Sequence, residues 1–78
     1  MFWATLMAKK VNDLDPDGVR IIVPWRELHV GGSLFVPCIN TEACERQVQD
    51  VAHRLGIRLT CRQRIEAQHL GLRIWRTT

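Results

Sequence analysis

A chain of 78 residues, 46% hydrophobic and 24% charged, has the size and composition of one small folded domain and is not that of a disordered chain. Its net charge of +3 is unevenly spread: residues 1–45 hold four Lys/Arg against six Asp/Glu, a balance of −2, while residues 46–78 hold seven arginines against Asp50 and Glu66, a balance of +5. No stretch approaches the roughly 20 apolar residues of a membrane-spanning helix, so the basic half points to an anionic partner in solution.

Residues 1–18 read as a mobile N-terminal segment. Met7 opens the string Met-Ala-Lys-Lys and is a candidate alternative start, and no secretory signal pattern precedes it. Asp15-Pro16-Asp17-Gly18 is dense in turn formers. The domain proper is expected over 19–78. Its first strand is expected at Val19–Val23, stopped by Pro24, with Trp25 closing one end of the core. Gly31-Gly32 leads into a second strand, Ser33–Val36, which Pro37 ends.

The helix follows. Asn40 or Thr41 caps it, Glu42 and Glu45 suit the positive end of its dipole, and Gly56 stands where a left-handed C-terminal cap falls. Cys44, Val48, Val51, Ala52 and Leu55 form one apolar stripe at helical spacing. Glu42–Arg46 and Asp50–Arg54 are spaced for ion pairs, and Ile39 is placed to staple onto Cys44.

Beyond the helix the period changes from 3.6 to 2. Ile57, Leu59 and Cys61 alternate with Arg58, Thr60, Arg62 and Arg64. Glu66-Ala67-Gln68-His69 is the expected turn, and Leu70, Leu72 and Ile74 then alternate with Arg73 and Trp75. The last two strands pair as an antiparallel hairpin. The expected fold is α+β: a small antiparallel sheet of about four strands in the order β-β-α-β-β, with one amphipathic helix packed on one face.

The candidate binding residues are Arg58, Thr60, Arg62, Arg64, Arg73 and Trp75, all on the face away from the helix. Arginine forks onto phosphate and stacks on planar groups, and a ring among arginines can stack on a base. Phe35 is a second candidate ring. A one-sided sheet also carries polar residues on its solvated face without any partner, and Glu66 is placed to neutralise part of this one.

Metal binding and catalysis find less support. Cys38 and Cys44 are separated by five residues, and no pair has zinc-ligand spacing. Cys44 and Cys61 fall in core phases. Cys38 is the exposed thiol candidate, but no base stands near it in sequence. No Gly-rich phosphate loop and no cofactor motif occur. The expectation is a non-enzymatic protein without metal or cofactor. Three cysteines, an odd number with no CxxC pair, suit reduced thiols in the cytoplasm.

Pro24-Trp25, then Val30-Gly31-Gly32-Ser33-Leu34-Phe35-Val36-Pro37, a helix, Gly56-Ile57-Arg58-Leu59-Thr60-Cys61-Arg62 and Gly71-Leu72-Arg73-Ile74-Trp75-Arg76 together form a pattern over about residues 21–76. It resembles small proteins of tailed bacteriophages that read G-(D/G)-S-F-F-V-P, a helix, T-T-R and a closing V-R-V-W-R. Leu34 stands here in place of an aromatic residue, and Cys61 in place of the second Thr. That family has no established activity. The resemblance implies a phage-encoded accessory protein working in the bacterial host cytoplasm.

Two functions are therefore expected from one face. The first is DNA or RNA binding; the second is an effector that binds and modulates a host protein, with Trp75 as its anchor. A homodimer through the Val19–Val23 edge is compatible with either.

Overall fold

In the computed structural model, which describes residues 11–78, one helix covers one face of a three-stranded antiparallel sheet. The elements are a 3-10 turn (Trp25–Glu27), β1 (Ser33–Pro37), α1 (Thr41–Leu55), β2 (Leu59–Glu66) and β3 (His69–Arg76). The sheet order is β1-β3-β2, so the last strand lies at the centre. The α+β class is as expected. The sheet differs: among the described residues it has three strands in the order β-α-β-β, not four in β-β-α-β-β.

The missing strand has a local cause. Val19–Val23 lies between two reversals. Gly18, at φ 83°, donates to Asp15 O and turns the chain back, so Leu14 and Ile21 form a single antiparallel bridge. At Pro24 the Trp25 N–H bonds Val23 O at 2.9 Å, an inverse γ-turn that ends the extended run. One bridge is all the pairing that remains among the described residues, and Val19 and Ile22 stay exposed. The strand edge expected to recruit a second copy is therefore absent.

Residues 11–18, expected to stand apart from the domain, are docked on it. Leu14 is fully buried in the core. Asp15 N donates to Gln47 Oε1 of α1, and Arg54 of α1 donates to Val11 O and Asn12 Oδ1. Trp25 is buried, and its indole N–H reaches Asn12 O at 2.7 Å, closing the core beneath this loop. Residues 1–10, Met7 included, lie outside the described residues.

The helix follows its sequence signals closely. Asn40 is the N-cap and its Oδ1 accepts from Ala43 N. Gly56 takes φ 69°; its N–H bonds His53 O and that of Ile57 bonds Ala52 O, the paired bonds of a Schellman cap. Cys44, Val48, Val51 and Ala52 are buried against Val36, Leu59, Leu72 and Ile74 of the sheet, while Leu55 at the end of the stripe is exposed. The expected surface pairs do not form. Arg54 ties down the N-terminal loop instead of meeting Asp50, and no ion pair joins Glu42 to Arg46. Ile39 is 81% exposed and staples nothing. Its entry angle is set by Asp17, whose carboxylate accepts from Ile39 N and Asn40 N, each at 2.8 Å.

β2 and β3 turn through Ala67 and Gln68, which adopt φ 49° and 66°. Two successive positive φ values in a two-residue hairpin loop make a type I′ turn, normally filled by Asn-Gly. Non-glycine residues there cost about 1–2 kcal/mol each. The double substitution Ala67→Asn with Gln68→Gly is expected to stabilise the domain by about 1 kcal/mol, raising Tm by about 4–8 °C in a thermal melt.

Asp17 generates a pH prediction. The backbone N–H groups of Ile39 and then Asn40 hold its carboxyl below the ordinary value of 3.8. A carboxyl depressed on folding adds stability above its unfolded pKa and loses it as pH falls through the folded value. Asp17→Asn is expected to melt lower than the parent near neutrality, with the gap closing in acid. Melts between about pH 6 and pH 2 check this.

Candidate nucleic-acid interface

The two-residue period of the strands assembles the site. The register aligns Ser33, Trp75 and Thr60 in one row across the sheet, Phe35, Arg73 and Arg62 in the next, and Pro37, Gly71 and Arg64 in a third. These rows lie on the face opposite α1. The intervening rows, such as Leu34–Ile74–Cys61 and Val36–Leu72–Gln63, point toward the helix. Arg58 precedes β2 in the same phase as Thr60, and its carbonyl accepts from Thr77 N. All six residues expected at the site thus lie on the one face opposite α1.

Their availability differs. Arg62 and Arg58 are exposed and have no ion-pair partner among the described residues. Arg64 lies 3.5 Å from Glu66, with half of its side chain exposed. Arg73 is committed. Its Nε donates to Glu66 Oε2 at 2.9 Å, its Nη2 to Glu66 Oε1, and its Nη1 to Ser33 Oγ at 3.1 Å. The Arg73 hydrogen bond, with the charges of Arg73 and Arg64, holds the Glu66 carboxyl below the usual carboxylate range, and Glu66 in turn raises Arg73. Arg73, expected among the phosphate contacts, has its bidentate fork filled by Glu66.

Phe35 belongs to the same arrangement. Its ring centroid is 5.7 Å from the Arg73 guanidinium carbon, a cation–π contact. The ring sits over Gly71, where a Cβ would lie 2.6 Å from Phe35 Cζ. Gly71 therefore leaves the space in which Phe35 rests and over which Arg73 reaches Glu66. Phe35 is engaged by Arg73 and Gly71, whereas Trp75 lines the hollow at the other end of the face.

Trp75 is half-buried. With Val30, Gly31, Thr60, Arg62, Arg76 and Thr77 it lines a shallow, mostly apolar hollow of about 510 Å³. Val30 and Gly31 carry no sequence signal for this role. They arrive through tertiary pairing, because Gly31 N donates to Arg76 O. Thr77 was legible, since it continues the phase of Arg73 and Trp75. Arg76 is anchored to Leu28 O and Thr78 O, so its charge serves the fold as well as the rim of the hollow.

The thiols are core groups. Cys38, expected to be exposed, is buried, because Cys38 N pairs with Leu70 O and draws the residue in beside β3. Burial pushes all three thiols up, Cys61 to about 11, so each stays protonated near neutrality. Among the described residues no three His, Cys, Asp or Glu side chains converge as metal ligands, and no helix is long and apolar enough to cross a membrane.

Gly71→Ala tests the architecture of this face. The added methyl would overlap Val36 O and lie 2.9 Å from Pro37 Cα, both backbone atoms that cannot swing away. A loss of about 1–3 kcal/mol or more is expected in chemical denaturation, with the Phe35–Arg73 contact disturbed in NMR spectra. No family model, no curated protein and no solved structure matches this chain.

Proposed function

We propose that this protein is a small non-enzymatic accessory protein that binds nucleic acid, single strands in preference to duplex, through the open face of its sheet. The observation that carries the reading is the hollow beside Trp75, which joins an accessible ring to Thr60 and the unpaired Arg62. A base needs a flat apolar surface to stack on, and the adjoining phosphate needs a cation within a side chain's length. A sheet face carrying a ring and alternate arginines offers both, and an unpaired base, unlike one in a duplex, has its flat face open to the ring. Arg58, Arg62 and Arg64 contact phosphate, Thr60 bonds sugar or phosphate, and Trp75 stacks. Arg73 orders the face through Glu66 and Phe35. The phage-like sequence pattern supports a bacterial host cytoplasm as the setting for this activity.

The second reading is a host-protein effector using the same residues. It is favoured by the outer edge of β2, which is unpaired among the described residues, since backbone groups at a sheet edge pair with protein chains. Pull-down from nuclease-treated host lysate separates the two: retention of one defined protein supports the effector, and loss of every partner supports nucleic acid.

The primary test is fluorescence anisotropy with labelled single-stranded DNA, RNA and duplex DNA at low and moderate salt. Affinity for the single strands is expected to fall steeply with salt. Arg62→Ala with Arg64→Ala is expected to weaken binding to all sequences and to lower the salt slope by about one for each phosphate no longer neutralised. Trp75→Ala is expected to cost about 1–3 kcal/mol for the stacked base. Glu66→Gln, which weakens the hold on Arg73, is expected to tighten binding. No binding at low salt, or a double mutant with unchanged affinity and slope, would sink the proposal.

A further inference from the structure

We infer that the outer edge of β2 is a strand-addition site for an extended acidic segment of a partner protein. The inference rests on backbone groups at the edge rather than on the hollow beside Trp75, so it does not depend on nucleic-acid binding.

The hydrogen-bond phase defines the edge. Thr77 N bonds Arg58 O, which fixes residues 58, 60, 62, 64 and 66 as those that pair with β3. The N–H and C=O groups of Leu59, Cys61, Gln63 and Ile65 therefore point outward. Gln49 of α1 donates Nε2 to Leu59 O at 2.9 Å and closes that end. From Cys61 to Ile65 no backbone partner stands outside the strand among the described residues. The opposite edge of the sheet is different. Cys38 N bonds Leu70 O, so the outward positions of β1 are Ser33, Phe35 and Pro37, and Pro37 has no N–H to give. β1 is also only five residues long, against eight for β2.

The side chains along the edge select the occupant. Arg62 and Arg64 project on the open face, and Gln63 and the 74% exposed Ile65 on the other. A second copy of the chain is a poor fit. The antiparallel self-pairing that engages Cys61, Gln63 and Ile65 together centres on Gln63, and it sets each Arg62 across from the other copy's Arg64. Like charges directly opposite are destabilising. A strand with Asp or Glu at alternate positions places its acids beside Arg62 and Arg64, and its intervening residues bond the edge and cover Ile65. The phosphate backbone of a nucleic acid does not replace it at the edge itself. Phosphates accept hydrogen bonds but do not donate to the outward carbonyls of Cys61, Gln63 and Ile65.

The test uses the intact protein and a capped peptide, Thr-Glu-Thr-Glu-Val-Glu-Thr-Glu-Thr, against the same peptide N-methylated at its Thr and Val nitrogens. Methylation removes the donors that face β2 and leaves the charge unchanged. Amide hydrogen exchange of Cys61, Gln63 and Ile65 is expected to slow about tenfold or more with the first peptide, and the methylated peptide is expected to bind about tenfold or more weakly. Equal binding of the two peptides would mean that charge alone attracts them, and would overturn the inference. So would unchanged exchange at these three amides, or a dimer in sedimentation that already protects them without peptide. The nucleic-acid reading is judged on oligonucleotide affinity and salt slope, so each stands or falls on its own measurement.

Discussion

A single helix packed against a three-stranded sheet can cover only one face of it, and the other features of this protein follow from that constraint. The fully buried Leu72 and Ile74 of β3, with Val36 of β1, meet Cys44, Val48 and Val51 of α1. A chain of this length has little further apolar surface to spend. The opposite face is left to polar residues, and the period of a strand assigns to it every second residue of β2 and β3. The position of β3 at the centre matters as much. It brings β1, from the acidic half, beside the hairpin of the basic half, so that Ser33, Phe35 and Val30 join the arginines, Thr60 and Trp75 of that hairpin.

Charge on this face is less available than the number of arginines suggests. Arg76, at the rim of the hollow, is taken up by the carbonyls of Leu28 and Thr78, and Arg73 by Glu66, Ser33 and Phe35. What remains on the sheet is a shorter line, Arg58, Arg62 and the partly neutralised Arg64, along the outermost strand. Exposed arginines on an edge strand also discourage self-pairing. The same side chains present cations beside a ring.

The ordered centre of the face depends on a residue with no side chain. Gly71 lets Phe35 lie against the sheet, Phe35 supports the Arg73 guanidinium, and Arg73 reaches past the gap to Glu66. The firm part of the surface is therefore the Phe35–Arg73–Glu66 cluster. The part open to a ligand is displaced toward Trp75, Thr60 and Arg62.

The helix with both caps, the hairpin, the α+β class and the common face of Arg58, Thr60, Arg62, Arg64, Arg73 and Trp75 could all be read from the order of residues. These are local properties: cap chemistry acts within a turn, and a period of 3.6 or 2 is written in neighbouring residues. Other features depended on the folded arrangement, which local patterning does not encode. Val19–Val23 has the composition of a strand, yet among the described residues its pairing is the single bridge of Ile21 to Leu14, because both edges of β3 are taken by β1 and β2. Leu14, inside a string of turn formers, became core because Asp15, Asp17 and Asn12 are held by groups some 20 to 40 residues away. Arg73 and Arg62 look alike in sequence, and only the folded structure shows that one is bound to Glu66 while the other has no ion-pair partner among the described residues. Hydrogen bonds and ion pairs between distant segments depend on where the backbone brings them, and that placement exists only once the strands have paired.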